Sequence, residues 1–246
     1  MYKQFFLEKL KTGDIIEAMH DNNLLVNLGQ QKLLPRINVG CGMSPTIGWR
    51  NLDNSLSIFL SRSLLLSSLL YKLHLINNDQ FEYIKFCANH NIDWANACKH
   101  IPAETCSVEI IYSSHMLEHL DQDQSLAFLL EAKRVLKSGG IIRLALPNIK
   151  NLVHEYNNNQ DADEFILNSF LWVKSPKNLL EKLNFLIFGF KHHLWMYDEI
   201  SILKLISKVG FLSPIILKAG ETTISDPGAL KLNEREDESL YIEAIK

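Results

Sequence analysis

The residue types best suited to chemistry first appear in one short stretch. The apolar segment Arg36–Val39 runs into Gly40 and Gly42, the two glycines of a G-x-G turn, and a second apolar segment ends at Asp53. Glycines let a backbone turn sharply and let a ligand approach the main chain. A carboxylate at the end of the next strand can accept hydrogen bonds from ribose hydroxyls. In doubly wound α/β domains, this combination holds an adenosine-containing cofactor at the carboxyl ends of the strands.

The spacing within this stretch favours a cofactor without a pyrophosphate. The dinucleotide fingerprint has three glycines, with the acidic residue roughly 20 positions further on. Here Pro45 stands where the third glycine would fall, and Asp53 follows Gly42 much more closely. A cofactor that carries ribose and adenine but no phosphates therefore fits the stretch better.

Several motifs together resemble the class I S-adenosylmethionine-dependent methyltransferases. Gly40-Cys41-Gly42 matches their first motif, and Asn96-Ala97 precedes Ile101-Pro102 as in their third-strand loop. Further matches are the H-x-L-E-H segment within Ser113–Leu120, the unit ending Arg134–Gly140 and the late segment His193–Asp198. The resemblance spans residues 34–147 and 192–211.

The resemblance implies an α/β fold with a Rossmann-like, doubly wound, mostly parallel sheet of seven strands. It also implies S-adenosyl-L-methionine as the cofactor. Family members usually carry Asp at the position of Asn96, whose amide oxygen can still accept a hydrogen bond. The cofactor-binding residues implied are Asn38, Gly40, Cys41, Gly42, Asp53, Asn54, Asn96, Ala97 and Ser114.

His115 is the candidate catalytic base, because the resemblance puts it where the methyl group faces the acceptor and imidazole titrates near neutral pH. Positioning of the acceptor and structural packing are the alternatives. Glu118 and His119 could in principle ligate a metal, but they are interpreted as a charge at a helix start near Met116 and a packing contact, so no metal site is expected. Candidate substrate-contacting residues are His119, His192, His193 and Tyr197.

We expect residues 1–246 to form a single domain, with a helical cover at 1–33 and a lid insertion at 154–193 that is rich in aromatic residues. Too few residues separate Gly42 from Trp49 for a crossover helix. We therefore expect a loop to join the first two strands.

The remaining pattern alternates helices and strands, as in a mostly parallel sheet. Helices are predicted at 80–89, 124–137 and 199–209, the second ended by Ser138-Gly139-Gly140 and the third by Gly210. Strands are predicted at 107–114 and 141–146, and 211–217 and 239–245 should pair as antiparallel strands.

The leucine-rich segment 56–73 has two interpretations. The first is a helix buried against the sheet. The second is a surface that touches a membrane interface or a lipid-linked substrate.

Composition restricts the partners. The net charge of −3 argues against broad binding to nucleic acid, and no N-P-P-[YF]-like tetrad follows the fourth strand. The four cysteines show no zinc spacing and suggest reduced thiols in a cytoplasmic protein. Neither a signal peptide nor a membrane span is expected, so membrane contact would be peripheral at most.

The resemblance therefore predicts methyl transfer to a small-molecule or sugar acceptor, surface glycans included, with O-methylation favoured. The alternatives are an oxidoreductase or nucleotide-binding protein with the same sheet, and a relative that binds the cofactor without activity. The acceptor class rests on the resemblance and does not follow from the residues.

Overall fold

The computed structural model describes residues 35–172 and 192–246. The expected N-terminal cover at 1–33 and most of the expected lid, residues 173–191, lie outside the described residues.

A seven-stranded sheet forms the centre of the described chain, in the order β3-β2-β1-β4-β5-β7-β6. All neighbours pair in parallel except β7, which runs antiparallel to β5 and β6. The strands are β1 Arg36–Val39, β2 Arg50–Asp53, β3 Ile92–Trp94, β4 Val108–Ser114, β5 Leu136–Pro147, β6 Leu212–Leu217 and β7 Ser239–Ile245. The predicted fold class is confirmed, including the antiparallel pair at the end of the chain.

The connection between β1 and β2 is a loop, as expected from its length. Two buried asparagines hold it in place. The Asn38 amide donates to Ser44 O (3.0 Å) and Thr46 Oγ1 (3.1 Å). Asn51 Oδ1 accepts from Thr46 N (2.7 Å), while Asn51 Nδ2 donates to the carbonyls of Thr46 and Trp49. These side-chain bonds satisfy backbone groups that a crossover helix would pair internally.

Helices pack around this sheet. Their bounds are α1 Ser57–Leu60, α2 Leu64–Lys72, α3 Asn78–Asn89, α4 Gln122–Val135, α5 Ile149–Asn159, α6 Ala162–Ser169 and α7 Glu199–Val209, with a 3₁₀ turn at Leu117–His119. The helix start expected near Met116 is this single 3₁₀ turn, which contains Glu118, and α4 begins separately at Gln122.

The predicted end of α4 at Lys137 is wrong. The helix ends at Val135 because Leu136 pairs with Val108, and the ladder resumes only at Ile110 and Ile141. The glycines Gly139 and Gly140 therefore lie in an irregular part of β5, where Gly139 has φ +72°.

The core lies between the sheet, α4 and α7. Ile37, Leu52, Ile111, Phe128 and Ile202 are each 0% exposed. Burying such side chains contributes about 1.5–3 kcal/mol each. This packing holds the parallel strands in register and so keeps their carboxyl ends at one edge.

The leucine-rich segment is not buried, so the favoured interpretation of residues 56–73 is wrong. Leu65 is 87% exposed and Leu69 is 52% exposed, and several neighbouring apolar side chains are also exposed. We call the exposed side chains Leu56, Phe59, Leu64, Leu65, Leu66, Leu69, Tyr71, Leu73 and Leu75 the apolar surface. A separate finding is that no helix in the described ranges is long and apolar enough to cross a membrane.

Candidate active site

The sheet brings the predicted site residues to one edge. Gly40 follows β1, Asp53 ends β2, Asn96 follows β3 and Ser114 ends β4. These strands are parallel, so their carboxyl ends meet at the same edge, where doubly wound sheets bind ligands. The antiparallel strand β7 contributes its first residue, Ser239, to this edge.

Asp53 ties the glycine turn to the second strand. Its Oδ2 accepts a hydrogen bond from Gly42 N (3.0 Å), and its Oδ1 accepts one from Ser55 N (2.8 Å). Burial raises the pKa of the Asp53 carboxyl, and the backbone hydrogen bonds from Ser55 and Gly42 act in the opposite direction. A carboxylate has about four acceptor sites. Acceptor capacity therefore remains for ribose hydroxyls.

The two glycines of the turn have different surroundings. Both have positive φ, +67° at Gly40 and +50° at Gly42. A Cβ on Gly40 would lie 2.6 Å from Met116 Cγ, so this glycine is needed for close packing. A Cβ on Gly42 would meet no atom within 4 Å, which leaves open space above the backbone. The buried residue Cys41 lies between them.

The ends of β2 and β3 form a second part of the site. Ala95 N donates to Asp53 O (2.9 Å), which joins the two strand ends. The Trp94 indole donates to the Asn54 carbonyl (3.0 Å) and is 41% exposed. Asn96 Oδ1 caps its own turn by accepting from Cys98 N (3.1 Å). The structure thus brings Asn54, Asn96 and the buried Ala97 next to Asp53.

Two predicted site residues are buried instead. Asn38 is 1% exposed, and its amide donates a hydrogen bond to Ser44 O in the β1–β2 loop. Tyr197 is 3% exposed, and its hydroxyl donates to Ser125 Oγ (3.2 Å) in the core. Direct ligand contact by these two side chains stays a prediction, since in the structure both pack against and position their neighbours.

His115 has a defined hydrogen-bond network at the end of β4, beside the half-buried Ser114. Ser239 Oγ donates its one hydrogen to Glu234 O (3.0 Å), so it must accept from His115 Nε2–H (2.8 Å). His115 Nδ1 then carries the lone pair. It lies 3.2 Å from Arg235 Nη1 and 3.3 Å from Glu118 Oε1.

Glu118 is the most unusual polar group near this edge. It is 1% exposed, and neither carboxylate oxygen accepts a hydrogen bond from the residues at 35–172 or 192–246. Besides His115, His193 Nε2 lies 3.9 Å from Glu118 Oε1. Burial lowers the pKa of His193, although the negative charge of Glu118 acts in the opposite direction.

His119 completes a group with these two residues. Its Nδ1 lies 3.0 Å from the carbonyl oxygen of His192, which can only accept, so Nδ1 carries the hydrogen and Nε2 the lone pair. The rings of His119 and His193 meet edge to face, with centroids 5.1 Å apart. The structure therefore brings three of the predicted substrate-contacting histidines, His119, His192 and His193, together around Glu118.

Sequence reasoning missed three residues of this edge. Trp94 lies beside Asp53 but belongs to no motif. Glu118 looked like a helix-start charge because its partner His193 is remote in the chain. Ser239 comes to the site as the first residue of the antiparallel β7. Arg235 belongs to segment 235–238, which the sequence indicated as a solvated loop that could also face the acceptor cleft.

Comparison with known proteins supports a methyltransferase. Residues 73–144, which run from the end of α2 into β5, match the family described as "Methyltransferase domain". A search of curated proteins found no match.

Solved methyltransferase structures resemble the chain at low identity. A SAM-dependent methyltransferase from Archaeoglobus fulgidus is 17% identical, with 96% of this chain and 100% of that chain covered and a TM-score of 0.45. An S-adenosylmethionine-dependent methyltransferase from Mesorhizobium loti is 15% identical, with 87% and 91% covered and a TM-score of 0.44. One from Methanosarcina mazei is 12% identical, with 90% and 96% covered and a TM-score of 0.46. At these values the likenesses add no argument about function.

The match over residues 73–144 and the seven-stranded Rossmann-like sheet support an enzyme that transfers a methyl group from S-adenosylmethionine, with S-adenosylmethionine as the cofactor.

Proposed function

We propose that this methyltransferase O-methylates a sugar or related small molecule, with His115 as the general base. The observation that carries the proposal is the network of His115. Its Nε2–H is held by Ser239 Oγ at 2.8 Å, which leaves the Nδ1 lone pair for a proton. The Arg235 guanidinium, a donor 3.2 Å from Nδ1, fits this tautomer, while Glu118 Oε1 lies 3.3 Å from the same nitrogen.

The cofactor site fits S-adenosylmethionine on two observations. The open space above Gly42 lets a ligand approach the main chain, and Asp53 retains acceptor capacity for ribose hydroxyls. Asn54, Asn96, Ala97 and the exposed ring of Trp94 would border the adenine. When bound, the cofactor supplies an electrophilic methyl group.

The chain itself must orient the acceptor and remove its proton. The acceptor hydroxyl would take the place of the Arg235 guanidinium at His115 Nδ1, because the Arg235 side chain is 56% exposed and free to move outward. The proton passes from the hydroxyl to Nδ1, and the carboxylate of Glu118 at 3.3 Å stabilises the imidazolium that forms. In this arrangement His119, His192 and His193 line the part of the site that holds the methyl acceptor.

The apolar surface supports an acceptor that is attached to a lipid. Between Asn54 and Asn78 the chain has no Asp or Glu, but it carries Arg62 and Lys72. Exposed leucines flanked by basic residues match an anionic lipid interface. The surface begins directly after Asp53, and Phe59 packs against Trp94 with ring centroids 5.4 Å apart. If the apolar surface contacts a cytoplasmic membrane face, a glycan linked to a lipid in that membrane would therefore lie beside the cofactor site.

The test is a transfer assay with cofactor labelled in the methyl group. Purified protein is incubated with lipid-linked glycan, free polysaccharide, total protein and RNA fractions of the source cells. We expect label in the lipid-linked glycan fraction, and alkali-stable, acid-released methyl sugars that identify an O-methyl ether. Label that appears only in protein or RNA would contradict the proposal. Binding of the cofactor without label in any fraction would favour the alternative of a protein without activity.

A further inference from the structure

The group of Glu118, His119 and His193 has the composition of a metal site. Each residue offers one ligand atom, and these atoms lie within 4.8 Å of one another. Two imidazoles and one carboxylate form a ligand set that selects divalent transition metals over Mg²⁺ and Ca²⁺. From the sequence, Glu118 and His119 were ligands in principle but no metal site was expected; His193, remote from both in the chain, completes the set.

The buried carboxylate supplies an independent argument. Glu118 is 1% exposed, yet both of its oxygens lack a hydrogen-bond donor among the described residues. A buried carboxylate without donors is costly, and buried charges are normally paired or coordinate metals. His115 Nδ1 lies 3.3 Å from Glu118 Oε1, but in the tautomer set by Ser239 this nitrogen carries a lone pair and donates no hydrogen bond.

His119 is prepared to ligate. His119 donates Nδ1–H to the carbonyl of His192 at 3.0 Å, which fixes the ring and directs the Nε2 lone pair away from that carbonyl. Metal-binding histidines almost always have such an outer partner on the second nitrogen. His193 Nε2 already lies 3.9 Å from Glu118 Oε1, close to the roughly 3.4 Å that separates two ligands of one tetrahedral Zn²⁺ with bonds of about 2.1 Å.

We propose that Glu118, His119 Nε2 and His193 Nε2 bind one divalent transition-metal ion beside His115. The three protein ligands leave a coordination position open, as in catalytic zinc sites. An oxygen ligand at that position has its proton acidity increased by the cation. The proposal goes beyond the proposed function, since it concerns metal binding and does not depend on which acceptor is methylated.

The experiment measures metal binding directly. The full-length protein is stripped with a chelator, in a Cys106→Ser background because a free, exposed thiol is itself a zinc ligand type. Zn²⁺ binding is then followed by calorimetry, and Co²⁺ binding by its visible absorption. We expect one equivalent of Zn²⁺, no binding of Mg²⁺, and a Co²⁺ spectrum without thiolate charge-transfer bands.

Two variants test the ligand assignment against one control. Glu118→Gln and His193→Asn should each weaken Zn²⁺ binding by more than the roughly 10–100-fold that loss of a ligand's outer partner costs. His154→Asn changes an exposed histidine on α5 and should bind as the parent does. Thermal unfolding checks that each variant folds, and any variant that unfolds is replaced by His119→Asn.

The proposal is overturned if the folded parent binds no Zn²⁺ or Co²⁺, or if Glu118→Gln and His193→Asn bind Zn²⁺ as tightly as His154→Asn. These readouts are independent of methyl transfer. If the protein binds metal but methylates no acceptor, the metal site stands and the proposed function is refuted. If it methylates an acceptor but binds no metal, the proposed function stands and the metal site is refuted.

Discussion

His115 has its backbone in the left-handed region, with φ +48°. This conformation costs about 1–3 kcal/mol for a residue other than glycine and is found most often at functional sites. Two contacts keep it there: His115 N donates to Ala145 O at 2.8 Å, and the ring binds Ser239. The strain is consistent with a residue whose side chain must point in one direction.

His115→Asn tests the base at the residue scale. Asparagine tolerates the left-handed conformation, so the backbone should be kept while the imidazole is lost. Without a general base, we expect kcat to fall by about 10²–10⁴. The affinity for S-adenosylmethionine, measured by calorimetry, should not change.

His154→Asn is the matched control for this substitution, because His154 is exposed on α5. An unchanged kcat in His115→Asn would show that His115 only packs or positions, and the base would have to be sought elsewhere.

Gly40→Ala tests the close packing of the glycine turn. The new Cβ would lie 2.6 Å from Met116 Cγ on a backbone with φ +67°. We expect a loss of about 1–3 kcal/mol in unfolding free energy from overpacking. We also expect weaker binding of S-adenosylmethionine, because the turn must move. Denaturant unfolding and calorimetry measure the two effects.

Gly220→Ala separates strain from clash. Gly220 also has positive φ, at +81°, but a Cβ there would meet no atom within 4 Å. If both variants lost the same stability and Gly40→Ala kept full cofactor affinity, the contact with Met116 would have no role in the site.

At the scale of elements, the short β1–β2 connection is the distinctive feature. A parallel pair usually needs a crossover of a dozen or more residues. Here the side chains of Asn38 and Asn51 bind the loop backbone in place of a helix. The consequence is that the glycine turn and Asp53 are held by side chains in a single compact loop.

Asn51→Ala is expected to destabilise this loop. It removes the acceptor of Thr46 N and the donor to the carbonyls of Thr46 and Trp49, all of them buried. Leaving buried backbone groups unpaired costs about 1–3 kcal/mol each, so we expect a loss of at least about 2 kcal/mol in unfolding free energy. Denaturant unfolding gives the value. Asn89→Ala, on the exposed end of α3, should cost far less, and equal losses would show that the loop does not depend on Asn51.

Some elements were predictable from local signals and others were not. The helix at 199–209 was predicted with its true bounds, because Asp198 caps its start and Gly210 ends it with φ +86°. The end of α4 was missed, because Leu136 leaves the helix to pair with a strand that is remote in sequence. Local propensity contains no information about that pairing.

The apolar surface shows a second limit. Leucine-rich periodicity gives the same pattern for a helix buried against a sheet and for a helix that exposes apolar side chains. The sequence kept both interpretations open, and only the position of α2 relative to the sheet decides between them. The same holds for Glu118, whose environment depends on His193.

At the scale of the whole molecule, a buried ion pair joins β5, β7 and the loop before β7. Arg143 Nη1 donates to Glu243 Oε1 (2.6 Å) and to the Glu221 carbonyl, and Nη2 donates to the Leu232 carbonyl. Both side chains are almost fully buried. The loop that carries Glu234 and Arg235 to the active site is anchored in this way.

This pair predicts a dependence of stability on pH. Burial raises the pKa of Glu243, but hydrogen bonds from Thr222, Thr223 and Arg143 outweigh it and lower the pKa overall. A lowered pKa in the folded state stabilises the protein above the unfolded pKa of about 4.3, and the contribution is lost as pH falls through the folded value.

Glu243→Gln should therefore cost about 3–5 kcal/mol in unfolding free energy at pH 7, the usual loss when a buried pair is broken. The difference from the parent should shrink below about pH 4.3, where Glu243 itself becomes protonated in the unfolded state. Urea unfolding across pH 3–8 measures it. Glu82→Gln, in an exposed pair with Lys85, should change stability by about 1 kcal/mol or less. A difference for Glu243→Gln that is constant with pH would contradict the account.

The central claim is that S-adenosylmethionine lies over the glycine turn, with its ribose on Asp53. Calorimetric titration of the parent, Asp53→Asn and Asp93→Asn with S-adenosylmethionine tests it most directly. Asp93 is the matched control, since it lies on neighbouring β3 and pairs with Arg50 at the surface. We expect parent and Asp93→Asn to bind equally. Asp53→Asn should bind about 10- to 100-fold more weakly, the loss for hydrogen bonds to a charged group. Equal affinity in all three proteins, or no binding by the folded parent, would contradict the claim.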